Sequence, residues 1–138
     1  MIKLVLDTNV VVSSVINGQG AEARVFDLAI NRAVRLYVSK PILEEYQGVL
    51  SRPRFQLSQT QVQSILGLIR KAGTLVHPAH KLTVSPDEPD NRFLECAQMA
   101  KANYLVTGNK RDFPRQWKTT AIVNAKELLE IIAIGLQK

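Results

Sequence analysis

The chain has 138 residues, 46% of them hydrophobic and 22% charged, a composition that predicts one globular domain over residues 1–138 with a buried core. It contains no apolar run of membrane-spanning length, no secretory signal pattern and a single cysteine, Cys96, so we expect a cytoplasmic protein without an internal disulfide. The 18 Lys and Arg outnumber the 12 Asp and Glu, and the net charge of +6 favours a polyanionic partner such as nucleic acid.

Apolar periodicity and capping residues predict strands and helices that alternate along the chain. In chain order, these are a strand at 2–6, a helix at 21–33, a strand at 35–38, a helix from the cap Ser39 to 50, a helix from the cap Ser58 to 71, a strand at 74–77, a proline-containing loop at 78–89, a helix at 90–101, a strand at 104–107, a basic loop at 108–120, a strand at 121–123 and a helix from the cap Asn124 to Gly135. This alternation predicts an α/β fold with a parallel sheet and helices on both faces.

In such folds ligands bind beyond the carboxyl ends of the strands, so polar residues that directly follow a strand are candidates for function. Asp7 follows the first strand, in the segment Asp7-Thr8-Asn9, and Thr107 ends a later one. Alternatively, Asp7 caps a helix that follows it, and Asn9 is a turn residue.

Two further acids lie on the inner faces of predicted helices. Glu45 borders the apolar stripe of its helix, whereas Glu44 lies nearly opposite and should face solvent. Asp90 shares the apolar face of its helix, while Asp87 precedes it in the loop and is expected to be solvated. Glu45 could instead be a charge at the rim of the core, and Asp90 could act only as a helix cap.

The turn after the strand at 104–107 supplies the last candidates. Gly108 allows a sharp turn that would place Asn109 and Asp112 over the same crevice. On the simpler interpretation, this segment is a surface turn of mixed charge.

These residues, in this order and spacing, resemble the PIN domain (PilT N-terminal domain) over nearly the whole chain. The matching segments are the strand ending in Asp7-Thr8-Asn9, Glu45 followed by Val49-Leu50, Asp90 followed by Phe93-Leu94 and Ala97, and Tyr104-Leu105-Val106-Thr107-Gly108-Asn109. The segment Leu50-Ser51-Arg52-Pro53-Arg54-Phe55 is similar to the VapC-like branch, the toxins of type II toxin–antitoxin pairs.

The resemblance implies a three-layer α/β/α sandwich with a central parallel sheet of about five strands. It implies that Asp7, Glu45 and Asp90 are catalytic metal ligands and that Thr107 and Asn9 support them. The family's fourth acid often follows the Thr-Gly turn directly, where this chain has Asn109. In other members the acid stands three residues later, before a Phe, which corresponds to Asp112.

The implied activity is hydrolysis of single-stranded RNA with Mg²⁺, or Mn²⁺ in its place. Mg²⁺ prefers oxygen ligands and offsets the charge that builds up during phosphodiester hydrolysis. Six basic residues beside the candidate ligands are interpreted as phosphate contacts, with ordinary solvated surface charge as the alternative: Arg52, Arg54, Lys110, Arg111, Arg115 and Lys118. The resemblance also implies a separately encoded antitoxin and a homodimer.

Two other functions remain open at this point. Asn109 in place of an acid would suit a non-catalytic RNA-binding domain of the same fold. An aspartyl-phosphate phosphatase with Asp7 as nucleophile is the less favoured alternative, because such enzymes usually carry a second Asp two residues later, where this chain has Asn9.

Overall fold

The computed structural model describes residues 1–136, which form a central sheet flanked by helices. The strands are β1 (Lys3–Leu6), β2 (Arg35–Val38), β3 (Thr74–Leu75), β4 (Tyr104–Val106), β5 (Gln116–Trp117) and β6 (Thr120–Val123). The helices are α1 (Thr8–Ile16), α2 (Ala21–Ile30), α3 (Lys40–Leu50), α4 (Gln59–Ala72), α5 (Glu88–Ala100) and α6 (Ala125–Leu136). Single 3₁₀ turns occupy Pro53–Phe55 and Lys110–Asp112.

The sheet has the strand order β3-β2-β1-β4-β6-β5. Strands β3, β2, β1, β4 and β6 pair in parallel, and only β5 at the edge is antiparallel to its neighbour. This arrangement confirms the predicted α/β class and its central, mostly parallel sheet.

Strand β1 lies at the centre of the sheet, and its last three residues, Leu4, Val5 and Leu6, are fully buried. A continuous apolar run is typical of a strand that is covered on both faces. The register pairs Leu6 with Val106 of β4, so β1 and β4 end side by side. The residues that follow them, Asp7 and Thr107, are therefore brought to one point at the carboxyl edge of the sheet.

The predicted caps are present. The Ser39 side chain accepts a hydrogen bond from the Ile42 N–H at the start of α3, and Ser58 and Gln61 form a reciprocal capping box at the start of α4. These bonds satisfy N–H groups that have no partner inside a helix.

Several predicted bounds differ from the structure, among them the end of α2, which is Ile30 rather than residue 33. Helix α1 had no predicted bounds, because its run Val10-Val11-Val12 is β-branched and has strand-like propensity; packing of Val10 and Val11 into the core stabilises the helix instead. Strand β3 covers only Thr74–Leu75, at an exposed edge. The segment predicted as a loop at 108–120 contains strand β5, and α5 begins at Glu88 rather than at residue 90.

In the part of the chain that the structure describes, none of the helices is both long enough and apolar enough to cross a membrane.

Tyr46 of α3 is predicted to stabilise the fold by a hydrogen bond to the end of β1. Its side chain is fully buried, and its hydroxyl donates a hydrogen bond to the Leu6 carbonyl, directly before Asp7. Tyr46→Phe should lower the free energy of unfolding by about 1 to 2 kcal/mol, because a buried carbonyl loses its partner. Urea denaturation measures the change. Tyr104→Phe is the matched control, since the Tyr104 hydroxyl has no hydrogen bond within residues 1–136 and its loss should cost less; equal losses in both variants would contradict the expectation.

Candidate active site

A cavity of about 550 Å³ opens at the carboxyl edge of β1 and β4. The four acids expected from the sequence, Asp7, Glu45, Asp90 and Asp112, all line it, together with Asn9 and Asn109. Its further lining residues are Thr8, Val12, Ser13, Val49, Arg52, Arg54, Phe55, Asp87 and Pro89. Residues from distant parts of the chain therefore meet in one cleft.

Asp7 connects β1 to α1 and is buried. One carboxylate oxygen accepts a hydrogen bond from the Thr8 N–H at 2.8 Å, and the other accepts one from the Thr107 hydroxyl at 2.8 Å. The first bond caps α1, so the capping interpretation of Asp7 holds alongside its place in the cavity. The second fixes the carboxylate at the junction of β1 and β4.

Glu45 reaches the cavity from α3. The helix buries Ile42, Tyr46 and Val49, and Glu45 on the border of that stripe is half-buried, whereas Glu44 is exposed. The sequence periodicity therefore distinguished these two neighbouring acids correctly.

Asp90 lies in the first turn of α5 on the face that also buries Phe93, Leu94 and Ala97. The residue is only 8% exposed. The residue at the N-cap position is Asp87, and no hydrogen bond to the Asp90 carboxylate occurs within residues 1–136. Capping thus does not account for Asp90, and its charge is left without a partner in a poorly solvated position.

The turn after β4 brings in the remaining polar residues. The Asn9 side-chain oxygen accepts a hydrogen bond from the Gly108 N–H at 2.9 Å, and the Thr107 hydroxyl accepts one from the Asn109 N–H at 3.0 Å. The Asn109 amide donates to the Asp112 carboxylate. Asn9 and Asn109 therefore hold the turn and Asp112 in place over the cavity.

The closest group of acids includes one residue that sequence reasoning left out. Carboxylate oxygens of Asp87, Asp90 and Asp112 all lie within 4.8 Å of one another, while Asp7 and Glu45 line the same cavity outside this group. Asp87 is exposed, as expected, but it is not remote from the site. Its spacing of three residues before Asp90, on one side of a helix start, was the signal that could have indicated this.

The acids influence one another's ionisation. Burial raises the pKa of Asp7 from its ordinary 3.8 to about 6, against hydrogen bonds from Thr107 and Thr8 that lower it, and the Glu45 and Asp87 charges raise it further. Burial also raises the pKa of Asp90 from 3.8 to about 7, with added repulsion from Asp7, Asp87, Asp112 and Glu45. The pKa values of both carboxyl groups therefore lie close to neutral pH, and pKa shifts of this kind are typical of functional sites.

Only part of the predicted basic rim adjoins the cavity. Arg52 and Arg54 line it, directly after α3. Lys110 instead forms an ion pair with Glu127, 2.8 Å between Nζ and Oε1, and the cavity lining does not include Arg111, Arg115 or Lys118. Two of the six predicted basic residues therefore line the cavity, and the other four do not.

Of the aromatic residues near the site, Phe55 lines the cavity, whereas Phe113 and Trp117 do not. Phe113 is buried in the core, and Trp117 is half-buried and donates a hydrogen bond to Gln98, as expected for packing rather than base stacking. Phe55, which the sequence analysis did not single out, lines the cavity beneath the guanidinium group of Arg54, 4.7 Å from its ring centroid.

The donor set fits a hard divalent cation. The carboxylate oxygens of Asp87, Asp90 and Asp112 lie within 4.8 Å of one another, and oxygens on opposite sides of one Mg²⁺ lie about 4.2 Å apart, so a small inward movement would bring all three onto one ion. The unpartnered carboxylate of Asp90 adds a physical reason for a cation at this point.

Comparison with known proteins indicates one family. The sequence model of the PIN domain matches residues 3–111, a range that includes Asp7, Glu45 and Asp90 and ends one residue before Asp112. An uncharacterized protein of Methanocaldococcus jannaschii is 30% identical over 112 residues, which cover 79% of this chain and 72% of that protein. Among solved structures, a chain of VapBC2 from Rickettsia felis, bound to a DNA fragment from their promoter, is 20% identical with a TM-score of 0.59, over 89% of this chain and 98% of that chain.

The raised pKa values predict how pH changes the stability of the metal-free protein. A carboxyl group whose pKa is higher in the folded state than in the unfolded state favours folding below pH 4, and this contribution is lost as pH rises through about 6 for Asp7 and about 7 for Asp90. In EDTA, Asp90→Asn should therefore gain about 4 kcal/mol of unfolding free energy relative to the wild type between pH 4 and pH 8, because each unit by which the pKa is raised corresponds to about 1.4 kcal/mol. Urea titrations at each pH measure this difference, with Glu44→Gln as control. Parallel pH profiles for wild type and Asp90→Asn would show that Asp90 ionises normally.

Proposed function

Because this chain belongs to the PIN domain family, we propose that it is a metal-dependent ribonuclease that hydrolyses phosphodiester bonds in single-stranded RNA. The observation that carries the proposal is the convergence of five carboxylates on one open cavity with two arginines at its edge. Acids packed this closely are costly without a cation, and a cation held among carboxylates can in turn bind a phosphate group.

Asp7, Glu45, Asp90 and Asp112 would hold the cation, directly or through water, and Mg²⁺ or Mn²⁺ suits such oxygen donors. When bound, the ion neutralises charge on the phosphodiester and activates a water molecule for in-line attack.

Other residues keep the ligands oriented. Thr107 and the Thr8 N–H each occupy one oxygen of Asp7, which leaves the remaining lone pairs free for the cavity side. Asn109 fixes one oxygen of Asp112 in the same manner. Residues that hold metal ligands in this way sharpen the geometry of a site.

The substrate class follows from charge and shape. Arg52 and Arg54 can contact backbone phosphates on either side of the scissile bond, and Phe55 offers an aromatic face for a base. Asp7 and Asp90 are buried in the cavity, so a flexible single strand can reach them more easily than a stiff duplex. The net charge of +6 adds long-range attraction for RNA.

We further propose that the chain is the toxin of a toxin–antitoxin pair that acts in the cytoplasm as a single domain and forms a homodimer. The fold similarity to a chain of VapBC2, together with the segment 50–55, supports this assignment. An antitoxin that covers the cavity would block access to Arg52 and the acids at once.

The two alternatives have less support. A non-catalytic RNA-binding domain was motivated by Asn109, but Asp112 lies in the closest acidic group, and Asn109 binds it. A phosphatase with Asp7 as nucleophile would usually carry a second Asp two residues later, where this chain has Asn9. Both oxygens of Asp7 accept hydrogen bonds, and the Asn9 side chain binds Gly108.

Asp7→Asn and Asp90→Asn should each lower Mg²⁺-dependent cleavage of single-stranded RNA by at least about a hundredfold, because each removes a charge that the cation needs. Cleavage of a fluorescently labelled oligoribonucleotide measures the rate, and Glu44→Gln, on the exposed side of α3, should cleave like the wild type. Wild-type RNA binding without any turnover in Mg²⁺ or Mn²⁺ would favour the non-catalytic alternative instead.

Arg52→Ala and Arg54→Ala should weaken RNA binding and reduce its salt dependence by about one unit of slope each, as expected when a phosphate contact is lost. Arg115→Ala and Lys118→Ala, which remove exposed charges away from the cavity, serve as controls with smaller effects. Fluorescence anisotropy at 50 to 200 mM KCl, in Ca²⁺ or EDTA to prevent turnover, gives both quantities. Equal losses in all four variants would mean that the whole basic surface, rather than the cavity edge, binds RNA.

A further inference from the structure

Asp87 lines the acidic cavity, although it is an exposed residue at the end of a loop. It is the N-cap residue of α5. Carboxylate oxygens of Asp87, Asp90 and Asp112 all lie within 4.8 Å of one another. No basic side chain is paired with any of these three acids: the ion pairs within residues 1–136 are Arg92–Glu88, Arg92–Glu95 and Lys110–Glu127.

A second observation points to a ligand at this position. Asp90 is only 8% exposed, lines the cavity and has no hydrogen-bond donor to its carboxylate among the described residues, although Asp7 in the same cavity has two. A buried carboxylate without a donor is costly to keep ionised unless a cation neutralises it. The cation that serves Asp90 would lie within reach of Asp87.

Hydrogen bonds among Ser85, Asp87 and Asn91 hold Asp87 in position. The Asn91 side chain is fully buried; its oxygen accepts a hydrogen bond from the Ser85 N–H at 2.7 Å, and its amide donates to the Ser85 carbonyl at 3.1 Å. The Ser85 hydroxyl accepts a hydrogen bond from the Asp87 N–H at 3.2 Å and donates one to the Asp112 carbonyl at 2.7 Å. One serine thus ties together the two loops that carry Asp87 and Asp112.

The same loop is anchored a second time, further from the site. Glu95 accepts a hydrogen bond from the Leu82 N–H at 2.7 Å, and Arg92, which is paired with Glu95 at 2.7 Å, donates to the Leu82 carbonyl at 3.3 Å. A buried charge pair is an expensive way to hold a loop whose only task is to connect two elements. Two anchors over residues 82–91 are consistent with a loop whose end must be placed accurately.

We propose that Asp87 is a direct ligand of the divalent cation, beside Asp90 and Asp112, and that Ser85 and Asn91 are positioning residues that set the distance between Asp87 and Asp112. This inference rests on the proposed metal-dependent function and deepens it, since it adds a ligand that the sequence motif did not supply.

The test measures metal binding without RNA or turnover. Isothermal titration of the metal-free full chain with Mn²⁺ should give an affinity at least about tenfold weaker for Asp87→Asn than for the wild type and for the control Glu44→Gln. Asp87 is exposed, so the variant should fold normally, which circular dichroism checks. An unchanged affinity in Asp87→Asn, with Mn²⁺ bound by the wild type, overturns the inference but leaves the proposed function intact. A wild type that does not bind Mn²⁺ overturns both.

Measuring Mn²⁺ affinity at high salt distinguishes direct binding of the cation by Asp87 from attraction by its charge at a distance. The Debye length falls from about 10 Å at 0.1 M to about 3 Å at 1 M salt, so an exposed charge that acts only at a distance loses its effect in 1 M KCl. The ratio of wild-type to Asp87→Asn affinity should persist at 1 M KCl if Asp87 binds the cation. A ratio that falls to one overturns the ligand role.

A double-mutant cycle tests whether Ser85 positions Asp87. Ser85→Ala should weaken Mn²⁺ binding several-fold in the wild type and by a smaller factor in Asp87→Asn, because Ser85 acts partly through Asp87. The titration is run well below the melting temperature of each variant. Additive losses would mean that Ser85 serves general stability, which overturns its positioning role.

Discussion

Mutual repulsion among carboxylates that share a poorly solvated cleft is the constraint on which the rest of this molecule depends. Burial raises the pKa of both Asp7 and Asp90, the charges of Glu45 and Asp87 raise both further, and Asp7 adds to the shift of Asp90. Two hydrogen bonds relieve Asp7, whereas none in the described chain relieves Asp90. The fold therefore retains an unfavourable charge cluster, which is typical of a site maintained for binding rather than for stability.

The parallel sheet makes this cluster possible, because it ends β1 and β4 side by side. The side chains of Asp7 and Thr107, which are 100 positions apart in the chain, form a hydrogen bond of 2.8 Å there. The loops then add their own acids through separate hydrogen bonds: Asn109 holds Asp112, and Ser85 links the chain around Asp87 to the Asp112 carbonyl. Rigid strands set the centre of the site, and side chains that bind backbone set its edge.

The distribution of charge has a consequence for the partner. Five of the 12 acidic residues line one cavity, so the remaining surface is more basic than the net charge of +6 suggests. A polyanion is attracted to that surface but repelled by the cleft itself unless a cation is bound there. Arg52 and Arg54 stand at the boundary between the two regions, where the strand of a nucleic acid would enter.

Sequence alone determined the elements that obey a strong local rule. Apolar runs predicted β1 and β2, and capping residues predicted the starts of α3 and α4. The helical period predicted that Glu45 faces inward and Glu44 faces solvent. Together with the order of the motifs, this was sufficient for the fold class, for the family and for four acids that line one cavity. Only the tertiary structure decided which residues have neighbours from elsewhere in the chain. It paired Lys110 with Glu127 and brought Asp87 to Asp112 through Ser85, because these contacts join segments whose separation no periodicity or capping rule encodes.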